Sequence, residues 1–143
     1  MKTLKEIKAD YEYFQNNLPE YLDWVKDNII KGILTYSLDE LEKVQQFYEN
    51  NILNSKDDVA LKQVFIAYTG TAFIKYFGGN WELSKMKNDE AYGTPIINNW
   101  GNDGEPHVTV SPFVWTEIIR KRGKMDRTVR QIFKGNINRF KAV

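Results

Sequence analysis

The chain has one histidine, His107, and an acid and a hydroxyl lie close to it in sequence, at Asp103 and Ser111. These residue types form the triad in which a base activates a nucleophilic oxygen and a carboxylate orients the base. The spacing argues against that chemistry, because Asp103 falls in a predicted turn and Ser111 precedes a proline, where serine caps a helix. We therefore interpret His107 as a residue at the end of a strand.

Adjacent acids could support general acid–base chemistry. The chain has three such pairs to consider, and two of them, Asp39-Glu40 and Asp57-Asp58, fall in predicted first turns of helices, where the helix dipole favours acids. Neighbouring helical residues also point about 100° apart, which suits joint action poorly. Glu82 and Glu117 could meet between a sheet and a helix, but no spacing requires it. The sequence thus predicts that the protein is not an enzyme. The three pairs are Asp39-Glu40, Asp57-Asp58 and Asp89-Glu90.

Composition excludes several other sites. The absence of cysteine removes disulfides, thiolate metal sites and cysteine nucleophiles. The segment 102–105 resembles a calcium loop only faintly, because it lacks the required order of acids and the distant glutamate. We therefore predict no metal and no cofactor. The mean hydropathy is −0.54, and no apolar run or leader is visible, so a cytoplasmic location without membrane contact is expected.

A length of 143 residues suits a single domain, residues 1–143. Thr3 and Glu6 have the spacing of a capping box, which predicts a helix from Leu4. Pro19 suits the first turn of a second helix, for which Gly32 is the predicted C-cap.

Two further helices complete the predicted helical N-terminal half. Ser37 and Glu40 form another potential capping box, and the segment 55–58 begins the next helix. Gly78-Gly79 ends that helix. Gly70 lies within it and predicts a close approach by another element, because glycine costs about 1 kcal/mol there relative to alanine.

Alternating or β-branched segments follow at 81–85, 95–100 and 107–110, and they predict an antiparallel meander of about three strands. Ser111 and Pro112 open a helix that ends at Gly123, and Asp126 is the predicted cap of a last helix to about Phe140. The predicted fold class is α+β, with a helical N-terminal half, a small sheet and two C-terminal helices.

Charge is unevenly distributed along the chain. Residues 120–143 contain nine basic residues and one acid, whereas residues 1–119 contain 11 basic and 18 acidic residues. The basic segment could pair with the acidic body or bind an anionic partner. The last helix carries its cations opposite its apolar face, which makes nucleic-acid binding the alternative function. Those cations are Arg127, Arg130, Lys134 and Lys141.

The favoured prediction is a domain that binds another protein through polar loops and aromatics near the sheet. Trp81, Trp100 and Trp115 could instead stack on bases or fill the layer between sheet and helices. The predicted partner-binding residues are Asp89, Glu90, Trp100, Asp103, Glu105 and His107.

Four short motifs between residues 68 and 123 carry a resemblance: Tyr68-Thr69-Gly70, Gly78-Gly79-Asn80-Trp81, Pro95-Ile96-Ile97 and Ser111-Pro112-Phe113. They are similar to a loose group of small uncharacterised bacterial domains, some of which resemble immunity proteins that bind secreted toxins. The resemblance implies the α+β architecture and an immunity-like inhibitor that occludes a partner surface. The group often has an acid after the glycine of the first motif, where this chain has Thr71.

Overall fold

The computed structural model describes residues 2–52, 59–101 and 107–141, without the side chain of Lys141. The fold is α+β with a small antiparallel sheet, as predicted, and most of the described residues are helical. The helices are α1 (Leu4–Asn16), α2 (Leu18–Val25), α3 (Leu38–Ile52), α4 (Val59–Phe77), α5 (Pro112–Arg122) and α6 (Val129–Lys141), and the strands are β1 (Asn80–Leu83) and β2 (Pro95–Asn98).

Helix α4 forms the centre of the core. Its residues are apolar around most of the circumference, and a helix of that kind must be covered on all sides. Helices α2, α3, α5 and α6 and strand β2 all contact it. Buried aromatics fill the spaces between these elements, among them Tyr48, Phe65, Phe73 and Phe133.

Local signals position α1 and α2. The Thr3–Glu6 capping box is confirmed, with both reciprocal hydrogen bonds at 3.2 Å. Pro19 lies in the first turn of α2, also as predicted. The prediction of Gly32 as the C-cap is wrong, because the chain continues as a π-helical turn over Lys26–Ile30 and Lys31 adopts the left-handed conformation.

Ser37 precedes α3, and its hydroxyl accepts a hydrogen bond from the backbone N–H of Glu40 at 3.1 Å. The second half of the predicted capping box is wrong, because the Glu40 carboxylate accepts hydrogen bonds from other donors. The predicted start of α4 at 55–58, including Asp57-Asp58, lies outside the described residues.

Gly70 allows the hairpin to pack directly on α4. A Cβ atom at this position would lie 2.0 Å from Cη2 of Trp81, so only glycine leaves room for the indole ring. The same ring meets Phe14 of α1 edge-on, at 5.1 Å between centroids. The predicted close approach is confirmed, and the Trp81 side chain packs the sheet against both α1 and α4.

The third predicted strand, at 107–110, is wrong in the described residues. Strands β1 and β2 pair from Asn80 opposite Asn98 to Leu83 opposite Pro95, but the later segment adds only one bridge. Val110 exchanges two backbone hydrogen bonds with Ile97, at 2.9 and 3.0 Å. Val108 and Thr109 are exposed there and bury no strand face, so pairing does not extend.

Helix α5 begins and ends where the sequence predicts, with Pro112 in its first turn and Gly123 left-handed at its end. The Ser111 side chain makes no capping hydrogen bond, however. The prediction that Asp126 caps α6 is also wrong. Thr128 is the cap, because its hydroxyl accepts a hydrogen bond from the backbone N–H of Gln131 at 3.2 Å. In return, the side-chain oxygen Oε1 of Gln131 accepts one from the backbone N–H of Thr128 at 2.9 Å.

Candidate protein-binding site

A cleft of about 520 Å³ lies between the end of α5 and the start of α6, beside the loop that joins β1 to β2. Its floor is apolar and its rim carries charges of both signs. We call it the α5–α6 cleft. Its floor consists of Trp115, Ile118, Met125 and Ile132, and its rim consists of Glu90, Lys121, Arg122, Asp126 and Arg127.

The turn between the two helices builds this cleft. Gly123 has a φ of +82°, which suits glycine and reverses the chain directly after α5. Met125 then enters the core, and this leaves Asp126 and Arg127 exposed on the rim before Thr128 caps α6. The cationic end of α5 and the start of α6 therefore face the same opening.

Two exposed ion pairs cross the rim. Lys121 Nζ lies 3.5 Å from Glu90 Oε1, and Arg122 Nη1 lies 2.8 Å from Asp126 Oδ2. Exposed pairs of this kind contribute about 0 to 1 kcal/mol, so a partner can exchange them for its own charges at little cost. The rim is thus chemically available for binding.

Arg127 differs from its neighbours on the rim. Among residues 2–52, 59–101 and 107–141, it forms no ion pair. Its guanidinium lies against α6 at Gly135, where a Cβ atom would be 2.5 Å from Nη2. The missing side chain at Gly135 therefore makes room for the Arg127 head group.

The other predicted nucleic-acid contacts do not form one free stripe. Arg130 pairs with Asp39 and, at 3.3 Å, with Glu42 on α3, and its hydrogen bond with Asp39 raises the pKa of the guanidinium. The charge pattern allowed the basic segment either to pair with the acidic body or to bind an anionic partner, and Arg130 pairs with the body. Lys134 is exposed, and the side chain of Lys141 lies outside the described residues.

The hairpin register separates the predicted partner-binding residues. Asp89 and Glu90 lie in the loop after Leu83, whereas Trp100 follows β2 at the opposite end of the strand pair. His107 joins Trp100, with ring centroids 4.4 Å apart. Asp103 and Glu105 lie outside the described residues, and among the four described members of this set only Glu90 lines the cleft.

The three tryptophans pack against the core rather than form an exposed stack. Trp100 is buried, and Trp81 and Trp115 are partly buried against the same core. The Trp100 indole N–H donates to the carbonyl of Val108 at 2.8 Å. Trp115 alone of the three lines the cleft.

The described residues do not assemble the other candidate constellations. The Ser111 hydroxyl is buried and has no hydrogen-bond partner in the described part of the chain. Burial raises the pKa of Glu117, but the hydrogen bond with Arg120 and the charge of Lys62 lower it by more. The pKa therefore lies below its ordinary value. Glu117 thus serves ion pairs at 2.7 Å and 3.7 Å, while Glu82 lies on β1.

Sequence reasoning missed the role of one buried carboxylate, Glu40. It is 5% exposed and accepts hydrogen bonds from the Thr35 backbone at 2.8 Å, the Thr35 hydroxyl at 3.0 Å, the Tyr36 backbone at 2.9 Å and the Tyr68 hydroxyl at 2.7 Å. Burial raises the pKa of Glu40, but these hydrogen bonds together lower it below its ordinary value. We call this group the Glu40 network.

The Glu40 network also holds Tyr36 in a left-handed conformation, with a φ of +56°. Its carbonyl accepts from the Tyr76 hydroxyl at 2.7 Å, and its ring stacks on Tyr68 with centroids 5.2 Å apart. The network thus fixes the connection between α2 and α3. Tyr68 lies 28 residues from Glu40, so only the tertiary structure reveals this pairing.

Across the ranges 2–52, 59–101 and 107–141, no cluster of three acidic or histidine side chains could hold a metal ion. No helix within these ranges is both long and apolar enough to span a bilayer. Comparisons of the chain with protein-family models, with curated proteins and with solved structures found no match.

Proposed function

We propose that the chain is a non-enzymatic protein-binding domain that acts as an immunity-like inhibitor by occluding a surface of its partner. The observation that carries this proposal is the α5–α6 cleft, with its apolar floor and charged rim. Protein interfaces concentrate their binding energy in such pockets, where apolar or aromatic anchors are buried inside a polar border.

Adjacent surface extends this site toward the hairpin. Residues 85–90 are all exposed, and the side chain of Met86 among them is 71% exposed. Lys121 links this loop to α5 through Glu90. A partner that fills the cleft would therefore also cover an adaptable methionine and several charges beside it.

Capture from the native cell, followed by direct measurement, tests the proposal. Tagged wild-type protein should retain a partner that a double charge reversal, Lys121→Glu with Arg122→Glu, no longer retains. Lys5→Glu with Lys8→Glu is the matched control, because both lysines are exposed on α1 outside the cleft. Calorimetry with the purified partner should then show at least tenfold weaker binding for the double variant.

Two outcomes would contradict the proposal. One is a double variant that binds the purified partner as tightly as wild type. The other is a preparation that retains nucleic acid, with affinity that falls steeply between two salt concentrations and with Arg127→Ala. That second result would favour the nucleic-acid alternative, for which exposed Arg127 and Lys134 provide the cations.

A further inference from the structure

The cations near the α5–α6 cleft are not equivalent. Lys121, Arg122 and Arg130 each have a carboxylate within 3.5 Å, whereas Arg127 has none in the described part of the chain. A guanidinium presents its donors as a planar fork that matches a carboxylate. Arg127 therefore offers unused capacity for an anion beside the apolar floor.

Gly135 gives the guanidinium a place on α6 that any other side chain at this position would obstruct. Glycine is among the poorest residues for the interior of a helix, and Gly135 lies in the middle of α6. The place of its missing Cβ is occupied by the Arg127 head group, since Nη2 would be only 2.5 Å away. The glycine thus forms a notch that seats the cation at the edge of the cleft.

We propose that Arg127, seated at Gly135, recognises the carboxylate of an aspartate or glutamate in a partner segment whose neighbouring large apolar side chain enters the cleft. This inference rests on the proposed function and names the partner's chemistry. The floor of Trp115, Ile118 and Ile132 receives the apolar side chain. Charge complementarity supports this occupant, because three cations and two acids form the rim and both acids are already paired.

Gly135→Ala provides a direct test, because it keeps every charge and improves the helix while it displaces the guanidinium. The probe is an acetylated and amidated peptide with the sequence Gly-Glu-Leu-Glu-Gly, titrated into isotope-labelled protein up to about 5 mM. We expect Arg127→Ala to weaken binding about tenfold and Gly135→Ala about fivefold, with a melting temperature at or above that of wild type. Lys134→Ala, on the exposed side of the same helix, should bind within twofold of wild type.

Three results would overturn the inference: unchanged binding by Gly135→Ala and Arg127→Ala, equal binding of the peptide with glutamine in place of glutamate, or no binding by wild type. A peptide with leucine at a free C-terminus that binds more tightly would assign Arg127 to a terminal carboxylate instead. If the captured partner still requires Lys121 and Arg122 but not Arg127, the proposed function stands and only this inference fails.

Discussion

The Glu40 carboxylate and the Arg127 guanidinium differ in both burial and pairing. Glu40 lies in the interior, and four hydrogen bonds from neighbouring donors satisfy it. Arg127 lies on the surface, pairs with no carboxylate in the described ranges and rests in a notch left by Gly135. Burial without partners is costly, so an interior charge must be satisfied within the fold. A surface charge that is held in place but left unpaired is available to a ligand.

The largest expected effect is the loss of the Glu40 carboxylate. Glu40→Ala leaves the backbone donors of Thr35 and Tyr36 and the Tyr68 hydroxyl without their acceptor, so we expect a loss of about 3 kcal/mol in the free energy of unfolding. Urea denaturation measures this. Glu12→Ala is the matched control, because Glu12 is exposed on α1, and an equal loss for both variants would show that the Glu40 network contributes nothing.

Filling the space above Gly70 should have the next largest effect. Gly70→Ala places a methyl group 2.0 Å from the Trp81 ring. Because the cost of this overpacking exceeds the gain in helix propensity, we expect the free energy of unfolding to fall by about 2 kcal/mol. Gly32→Ala is the control, because no heavy atom beyond the adjoining residues lies within 4 Å of the position that its Cβ would take. If thermal denaturation shows equal stability for both variants, the packing of Trp81 on α4 is wrong.

Removal of one hydroxyl from the Glu40 network is a smaller change. Tyr68→Phe retains the ring that stacks on Tyr36 and deletes one hydrogen bond to the Glu40 carboxylate. We therefore expect the free energy of unfolding to fall by about 1.5 kcal/mol. The sum of the effects of Tyr68→Phe and Glu40→Ala should exceed the effect of the double variant, because each single change removes the same hydrogen bond. Strict additivity in urea denaturation would contradict the direct contact.

The acid dependence of stability should be smaller still and has a definite sign. The pKa of Glu40 is lowered in the folded state, so its stabilising contribution is present above the unfolded pKa of about 4.3 and is lost as the pH falls through the folded value. The difference in unfolding free energy between wild type and Glu40→Gln should therefore shrink as the pH is lowered from 6 to about 3. A difference that is constant with pH would mean that Glu40 has an ordinary pKa in the fold.

Local chemistry made much of the fold predictable. Thr3, Pro19, Pro112 and Gly123 act within a few residues, so their roles as caps and helix starts can be read from spacing alone. The Thr128 cap could also have been found, because glutamine three residues later completes a capping box.

The remaining features depend on tertiary contacts. The segment 107–110 has the residues of a strand, but its pairing is limited to Val110 because Val108 and Thr109 are exposed and bury no strand face. Glu90 and Arg127 were both predicted as binding residues, but for different partners. Their meeting at one cleft follows from the way the hairpin loop, α5 and α6 come together, which no periodicity in the sequence specifies.

Mapping the partner's contacts on the protein tests the central claim most directly. Isotope-labelled protein would be titrated with the captured and purified partner while its backbone and indole N–H resonances are followed. We predict that the largest changes occur at Trp115, Ile118, Glu90 and Arg127, around the α5–α6 cleft. Largest changes instead around Trp24 and Phe47, which line a separate groove of about 640 Å³, would contradict the assignment of the binding surface.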